Sequence, residues 1–308
     1  IDLVIGTHAL IQEDVHFKNL GLVVIDEQHR FGVRQREALM NKGRMVDTLV
    51  MSATPIPRSM ALAFYGDLDV TVIDEMPPGR KEVQTMLVSM DRVHEVYEFV
   101  RQEAMKGGQA FIVYPLIEES DKLNAKSAVE MYEYLSREVF PEFRVGLMHG
   151  KLSQEEKDRV MMEFAEGRYD ILVSTTVIEV GIDVPRANVM VIENPERFGL
   201  AQLHQLRGRV GRSGQDAYCF LVGDVGEEAM ERLRFFALNT DGFKIAEYDL
   251  KTRGPGEFFG LRQHGMSGFK VANLYRDLKL LEWAREDVQE INIDEIELPE
   301  EIKLIEVG

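Results

Sequence analysis

The sequence is poor in several features that would assign it to a large class of proteins. Its 308 residues include one cysteine, Cys219, which excludes an internal disulfide framework and fits a reducing cytosol. No apolar run approaches the roughly 18 residues that a membrane-spanning helix needs. We also find no signal peptide, internal repeat or low-complexity tract. These absences predict a cytoplasmic protein without a membrane partner.

Basic charge is also scarce, with 36 lysines and arginines against 53 aspartates and glutamates and a net charge of −17. This argues against a nucleic-acid partner, because phosphate binding depends largely on lysine and arginine. The acid is unevenly distributed, however. Much of it lies in residues 285–308, whereas "RFGLAQLHQLRGRVGR" and "LKTRGPGEFFGLRQHG" are net basic. The net charge therefore does not exclude a nucleic-acid partner.

A third absence is the phosphate-binding loop Gly-x-x-x-x-Gly-Lys-Ser/Thr. The nearest stretch, "HGKLS", has Leu152 where the loop requires serine or threonine. The chain also starts at Ile1 without a methionine, and "IDLVIG" already has the pattern of a strand inside a domain. We expect the chain to be part of a longer protein.

What is present is an alternation of short β-rich runs and helical patterns, which predicts an α/β fold of parallel sheets covered by helices on both faces. The predicted strands are Leu3–Ile5, Leu22–Ile25, Thr48–Met51, Val70–Ile73, Ala110–Val113, Arg144–Met148, Asp170–Val173, Asn188–Ile192 and Tyr218–Val222. The predicted helices are Arg34–Met40, Arg92–Met105, Lys126–Val139, Gln154–Phe164, Ala201–Arg207 and Glu227–Leu238. "MPPGR" reads as a linker, and a glycine-rich loop and an acidic tail are expected after residue 238.

Polar residues follow several predicted strands, at the edge where open parallel sheets bind ligands. The run "LVVI", which looks like a strand buried on both faces, is followed by Asp26 and Glu27. The first carboxylate can hold nucleotide-bound Mg²⁺, directly or through water, and the second can orient and deprotonate an attacking water. The alternative is a solvated strand end followed by a turn.

Two further motifs follow later strands. Ser52, Ala53 and Thr54 come after the next strand, where small hydroxyls can contact the Asp-Glu element and sense a γ-phosphate; a helix N-cap is the alternative. In "VSTTVIEVGIDVP", Gly181 permits a close backbone approach and Asp183 can accept a hydrogen bond from a ribose hydroxyl. The alternative here is a buried strand followed by a β-turn.

The fourth motif is "QLHQLRGRVGR", which contains Gln205, Gly208, Arg209, Gly211 and Arg212. The two last arginines, three residues apart, are expected to share one face of a helix or turn. From a second domain they can reach a γ-phosphate as arginine fingers, which add positive charge where the transition state is most negative. The alternative is a basic surface turn.

In this order and at these spacings, the four motifs resemble those of superfamily-two helicases. Asp26-Glu27-Gln28-His29 resembles motif II, Ser52-Ala53-Thr54 motif III, "STTVIEVGID" motif V and "QLRGRVGR" motif VI. The segment "EYDLKTRGPGEFFGLRQHG" resembles the TRG element that the RecG family of branch-migration helicases shares with the transcription-repair coupling factor. Long connecting stretches such as "DEQHRFGV" favour the RecG family, and the resemblance extends over roughly residues 1–269.

The resemblance implies two RecA-like lobes that bind ATP and Mg²⁺ between them. Residues 1–78 are then the C-terminal part of the first lobe and residues 79–225 the second lobe. Residues 226–308 are a helical hairpin, the TRG coupling loop and the acidic tail. In this family the phosphate loop and a branch-recognising wedge lie upstream, so the fragment is expected to be inactive by itself.

The resemblance also assigns roles to individual residues. Those implied in catalysis are Asp26, Glu27, Gln205, Arg209 and Arg212. Those implied in nucleotide binding are Asp26 (through Mg²⁺), Gly181, Asp183, Arg209 and Arg212. Those implied in coupling are Gln28, His29, Ser52, Ala53, Thr54, Arg232, Arg253 and Gln263. Those implied in DNA binding are Gly6, Thr7 and His8 of "GTHALI", His149 of "MHGKL", Thr175 and Thr176.

The implied function is ATP-driven translocation on double-stranded DNA by a monomer that remodels stalled forks and branch-migrates Holliday junctions. Three alternatives stay open at this point. One is a translocase like the transcription-repair coupling factor, and another is an RNA or single-strand helicase of the same superfamily. The third is a non-catalytic interaction module with vestigial motor residues.

Overall fold

The computed structural model describes residues 2–12, 14–26, 42–43, 46–52, 69, 71–73, 75–77, 79–115, 121–175 and 182–253, with 280, 283, 284 and 287. For residues 8, 121–127 and 253 it describes the backbone only. The chain forms two compact units, residues 1–55 and residues 56–308. Within the described part, every helix is too short or too polar to cross a membrane.

The first unit contains two parallel strands, β1 (Leu22–Ile25) and β2 (Asp47–Val50), paired from Leu22↔Asp47 to Ile25↔Val50. A short 3-10 helix, His8–Ile11, precedes them. The expectation that β1 is buried on both faces is wrong. Val23 and Ile25 are buried, but Leu22 and Val24 are 59% and 52% exposed. The strand therefore has one buried and one open face, as alternating side-chain direction dictates.

The predicted strand Leu3–Ile5 is also absent, since residues 2–6 are in neither a helix nor a strand. Leu3 and Ile5 are 76% and 87% exposed. An apolar run becomes a strand only when a neighbouring strand accepts its backbone hydrogen bonds.

The second unit is built on six parallel strands: β3 (Gln84–Val88), β4 (Gln109–Tyr114), β5 (Val145–Met148), β6 (Ile171–Thr175), β7 (Ala187–Glu193) and β8 (Tyr218–Val222). Their spatial order is β3-β8-β7-β4-β6-β5. Every residue of β6 and β7 is buried. The prediction of a parallel sheet in an α/β fold is thus confirmed. β3, half-exposed at one edge, was not predicted.

Six α-helices are described: α1 (Val93–Met105), α2 (Asp121–Tyr134), α3 (Gln154–Ala165), α4 (Leu200–Arg207), α5 (Glu227–Leu238) and α6 (Gly242–Arg253). A π-helical turn, Leu135–Val139, continues α2. Helix α3 begins with a capping box in which the Ser153 hydroxyl accepts from Glu156 N and the Glu156 carboxylate accepts from Ser153 N.

Helices cover both faces of the six-stranded sheet. On one face Phe111 packs with residues of α3, α4 and α5, including Phe164, Leu203 and Phe236. On the other face Ile112 packs with α1 and the π-helical turn. Successive residues of β4 thus enter opposite cores, because side chains alternate along a strand.

Two expectations for the second unit need correction. The sequence pattern predicted a glycine-rich loop directly after residue 238, whereas the resemblance implied a helical hairpin in this region. A second helix, α6, follows α5 and buries Ile245, Ala246 and Leu250, so the pattern-based expectation is wrong. The predicted strand Val70–Ile73 is not formed at residues 71–73, and Val70 lies outside the described residues. The predicted helix Arg34–Met40 also lies outside them.

Candidate functional site

In the first unit, two predicted site residues lie at the carboxyl edge of the β1–β2 pair. Asp26 directly follows β1, and Ser52 comes two residues after β2. Met51 N donates to Ile25 O at 2.8 Å, which extends the pairing to this edge. Parallel pairing therefore brings the first residues of motifs II and III to the same end of the sheet. The remaining predicted residues of these motifs, Glu27, Gln28, His29, Ala53 and Thr54, lie outside the described residues.

The segment predicted to contact DNA in the first unit has little regular structure. Gly6 is in an irregular stretch, and Thr7 precedes the 3-10 helix that starts at His8. Thr7 O accepts a hydrogen bond from Leu10 N at 3.0 Å, so the turn is closed by its own backbone.

In the second unit, β5 and β6 bring together two residues predicted to contact DNA. Met148 pairs with Ser174, so the next residues, His149 and Thr175, lie at the same carboxyl edge. Burial, followed by the charge of Lys151, lowers the pKa of His149 below its usual value. His149 is therefore neutral at pH 7, and its Nδ1 accepts from Lys151 N at 3.3 Å. Thr176 and Gly181 lie outside the described residues.

The arginine loop, which we define as residues 208–217, follows helix α4. The helix ends at Arg207, so Arg209 and Arg212 lie in the loop and not on a helix. Gly211 has φ +75°, and a Cβ there would lie 2.9 Å from Ala217 Cβ. Glycine is required at this turn for both reasons. Gln205 lies on α4, half-buried.

The loop brings Arg212 to Asp183, the residue predicted to contact the ribose. Arg212 Nη1 lies 3.3 Å from Asp183 Oδ1, and Arg212 Nε donates to Gly208 O at 3.3 Å. The Arg212 side chain is 33% exposed and that of Asp183 56%. Both groups are thus reachable from solvent, as residues that bind a phosphate or a ribose have to be.

Arg80, which the sequence analysis did not single out, lies beside this pair. Its Nη2 donates to Gly208 O at 3.2 Å. Burial lowers the pKa of Arg80, the positive charge of Arg212 lowers it further, and Asp183 opposes both. Two guanidinium groups and one carboxylate thus share this corner, an arrangement with excess positive charge that suits an anion.

Arg207, which no motif indicated, is an internal cation that joins α4 to the end of α5. It is 3% exposed. Its Nη1 donates to Phe236 O at 3.1 Å and its Nη2 to Asn239 O at 2.9 Å. The guanidinium also lies over the Phe236 ring, 4.1 Å from the centroid. Because it occupies a variable position of the Gln-x-x-Gly-Arg pattern, the motif gives no sign of this role.

His204, one turn earlier on α4, completes the arrangement. Burial, followed by the charge of Arg207, lowers the pKa of His204 to about 4. The imidazole is therefore neutral at pH 7, and its Nδ1 lies 3.1 Å from Arg207 Nη2, where it accepts a hydrogen bond from the guanidinium.

The predicted coupling residue Arg232 fastens the middle of α5 to the segment before α4. From α5 its Nη1 donates to Phe198 O at 2.9 Å and its Nη2 to Glu196 O at 2.8 Å. These carbonyls belong to the segment between β7 and α4, so Arg232 connects α5 to the approach of motif VI. Arg253 is the last residue of α6, described by its backbone, and Gln263 lies outside the described residues.

Three family models match the chain. Residues 1–62 match the DEAD/DEAH box helicase model, and residues 71–214 match the helicase conserved C-terminal domain. Residues 239–305 match domain 3, C-terminal, of the ATP-dependent DNA helicase RecG.

Individual relatives agree with these models. The chain is 92% identical to the ATP-dependent DNA helicase RecG of Thermotoga maritima over the full chain, which is 40% of that relative. It is 58% identical to the RecG of Aquifex aeolicus, over 94% of the chain and 38% of the relative. A solved structure of RecG bound to a three-way DNA junction superposes with a TM-score of 0.73, at 86% identity over 92% of this chain and 36% of that one.

The chain covers only part of each of these relatives. It spans about two fifths of the length of the curated relatives that it matches. The parallel sheets are those of the RecA-like helicase fold. The chain belongs to the RecG helicase family.

Proposed function

We propose that the protein containing this chain is an ATP-driven translocase on double-stranded DNA that reverses stalled forks and branch-migrates Holliday junctions. The observation that carries the proposal is the arginine loop. The loop presents Arg212, paired with Asp183, to solvent, and the helix before it is fastened through Arg207 to the end of α5 and the residue that follows it. A relative of 86% identity is bound to a three-way DNA junction, which supports branched DNA as the partner.

For the nucleotide, we propose that Asp26 holds Mg²⁺, directly or through water, and that Glu27 orients the attacking water. A carboxylate at the open carboxyl edge of β1 fits the oxygen ligands that Mg²⁺ prefers. Arg209 and Arg212 place positive charge at the γ-phosphate, Gln205 supports the same loop, and Gly181 and Asp183 contact the nucleotide. ATP supplies the free energy for movement.

For DNA, we propose contacts by Gly6, Thr7, His8, His149, Thr175 and Thr176 with the phosphate backbone. Such contacts do not depend on base sequence, and they therefore permit travel along any duplex. Gln28, His29, Ser52, Ala53 and Thr54 report the nucleotide state, while Arg232, Arg253 and Gln263 relay lobe movement through the hairpin.

The proposed division is residues 1–78 for the first lobe, 79–225 for the second, and 226–308 for the hairpin, coupling loop and acidic tail. The full protein acts as a monomer in the cytoplasm, with an upstream phosphate loop and wedge. Because that loop supplies most of the phosphate contacts, we expect the 308 residues alone to show neither ATPase activity nor tight ATP binding.

The test uses Glu27→Gln in the full-length protein. We expect steady-state DNA-stimulated ATP hydrolysis to disappear while ATP binding persists, since glutamine keeps the shape of the side chain and loses the base. ATP hydrolysis at the wild-type rate in this variant would refute the role of Glu27.

A second measurement compares DNA substrates with the wild-type full-length protein. Forked duplexes should stimulate ATP hydrolysis more than single strands of equal length. Stronger stimulation by single-stranded DNA or RNA would favour a single-strand helicase, and no stimulation by any nucleic acid would favour the non-catalytic module.

A further inference from the structure

Residues 79–84, which connect the end of "MPPGR" to the first residue of β3, run alongside the arginine loop. Gln84 N donates to Ala217 O at 2.9 Å, and Lys81 Nζ lies 2.8 Å from Asp216 Oδ1. Gly79 O approaches Gly214 so closely that a Cβ on that glycine would lie 2.9 Å from it. The loop is therefore supported along its length by a segment that lies outside the four motifs named above.

Arg80 makes the contact of this segment with the start of the loop. Gly208 O accepts from Arg80 Nη2 at 3.2 Å and from Arg212 Nε at 3.3 Å. The two guanidinium groups are thus bound to one carbonyl oxygen from two directions. Because Arg212 also contacts Asp183, its guanidinium is held by two partners, and one of them is the carbonyl that Arg80 also contacts.

The charges at this corner favour an incoming anion. Arg80 is half-buried, and its pKa is lowered by burial and then by Arg212. The repulsion between the two cations is only partly offset by Asp183, which is more than half exposed. A phosphate that approaches Arg212 relieves this repulsion, so Arg80 strengthens the preference of the corner for a negatively charged ligand.

We propose that Arg80 is a positioning residue for Arg212, which it holds in the orientation that meets the nucleotide phosphates. The inference rests on the proposed function, because Arg212 acts on a phosphate only if the protein hydrolyses ATP. Arg80 itself works through the Gly208 carbonyl and its charge, and it needs no contact with the nucleotide.

The test is a double-mutant cycle in the full-length protein, with DNA-stimulated ATP hydrolysis as the readout. We expect Arg80→Ala to lower kcat roughly tenfold to a hundredfold, the loss typical of a misplaced catalytic group, with a smaller change in KM. In an Arg212→Ala background the same change should have almost no further effect, because a positioning residue acts only through the group that it positions. Fully additive losses would overturn the proposal.

Two single variants serve as controls. Lys81→Ala removes the neighbouring surface pair with Asp216 and should retain wild-type kcat. Arg80→Lys keeps a charge and a donor, and it should be more active than Arg80→Ala. Equal loss in Lys81→Ala and Arg80→Ala, or equal activity of Arg80→Lys and Arg80→Ala, would show that only the integrity of the segment matters and would overturn the inference.

Failure of the inference and failure of the proposed function give different results. If Arg212→Ala lowers ATP hydrolysis and Arg80→Ala does not, the proposed function stands and the role of Arg80 is wrong. If the wild-type full-length protein has no DNA-stimulated ATPase activity, the proposed function itself is wrong, and the inference is overturned with it.

Discussion

Two arginines of motif VI, Arg207 and Arg212, differ in environment although only four residues lie between them in the sequence. Arg207 is 3% exposed, and it donates to two backbone carbonyls at the end of α5 while its guanidinium lies over an aromatic ring. The side chain of Arg212 is 33% exposed, and it contacts a carboxylate that is itself mostly in solvent.

This difference separates a structural cation from one that is available to a ligand. Burying a guanidinium is tolerable only when its donors are paired. Arg207 is paired with two backbone carbonyls. It could bind a phosphate only by releasing these carbonyls, which would weaken the attachment of α5. Arg212 can exchange its carboxylate for a phosphate at little cost, because an exposed ion pair contributes little stability. We therefore expect mutations of the two arginines to affect different properties.

The largest expected effect is on catalysis, from Arg212→Ala in the full-length protein. Removal of an arginine finger lowers kcat by about 10³-fold in related phosphoryl-transfer enzymes, and DNA-stimulated ATP hydrolysis should fall by a similar factor. The urea midpoint of the chain should hardly change, since the side chain is partly in solvent. If Arg212→Ala unfolds more readily but hydrolyses ATP normally, Arg212 is a structural cation and the comparison with Arg207 is wrong.

The next effect is on stability, from Arg207→Ala. The carbonyls of Phe236 and Asn239 would each lose the hydrogen bond from the guanidinium, and the Phe236 ring would lose its cation. Together these losses should lower the free energy of unfolding by roughly 3 kcal/mol. Urea unfolding of the 308-residue chain measures this, with Arg212→Ala as the matched control. Equal midpoints for the two variants would contradict the assignment of Arg207 as the structural cation.

Much of the second unit was predictable from sequence because its strands are continuous apolar runs. β7 and β8, together with α1, α3, α4 and α5, lie within a few residues of their predicted bounds. Placing Thr175 and His149 at one sheet edge needed only the rule that ligands of parallel sheets collect at the carboxyl ends.

Other features depend on contacts that a linear pattern does not contain. β1 consists only of apolar residues and is half-open, whereas β7, which includes Asn188 and Glu193, is fully buried. The neighbours of each strand, and not its own composition, therefore decide its burial. The contact between Arg80 and Gly208 joins residues 128 positions apart. Helix α6 has alternating charged and apolar residues whose burial is set by the packing of α4 against it.

A smaller effect is expected from Arg232→Ala, which extends the comparison to the middle of α5. Loss of the donors to Glu196 O and Phe198 O should lower the free energy of unfolding by about 1–2 kcal/mol. In the full-length protein, fork unwinding should fall several-fold more than DNA-stimulated ATP hydrolysis if the hairpin relays movement. Arg234→Ala, at an exposed position of the same helix, is the control. Equal losses of unwinding and hydrolysis would leave Arg232 with a structural role alone.

The effect that is smallest at neutral pH concerns the imidazole beside Arg207, and it grows as the pH falls. His204 has a pKa of about 4 in the folded chain against an ordinary value of 6.5. Between these values the unfolded chain binds a proton that the folded chain does not. The free energy of unfolding therefore falls as the pH drops from 6.5 towards 4, by at most about 1.4 kcal/mol per pH unit.

His204→Asn keeps an acceptor for Arg207 and cannot titrate. The contribution of His204 to the pH dependence of the free energy of unfolding should therefore be absent from this variant. The quantity to measure is the difference in free energy of unfolding between the two chains, because other groups cancel in it. Glu193, whose pKa is raised by burial, contributes a slope of opposite sign to both. A difference that is constant from pH 4 to 6.5 would mean that His204 is accessible to protons when folded. Arg207, which contacts His204, would then also be accessible to solvent, and the distinction between a buried Arg207 and an exposed Arg212 would be wrong.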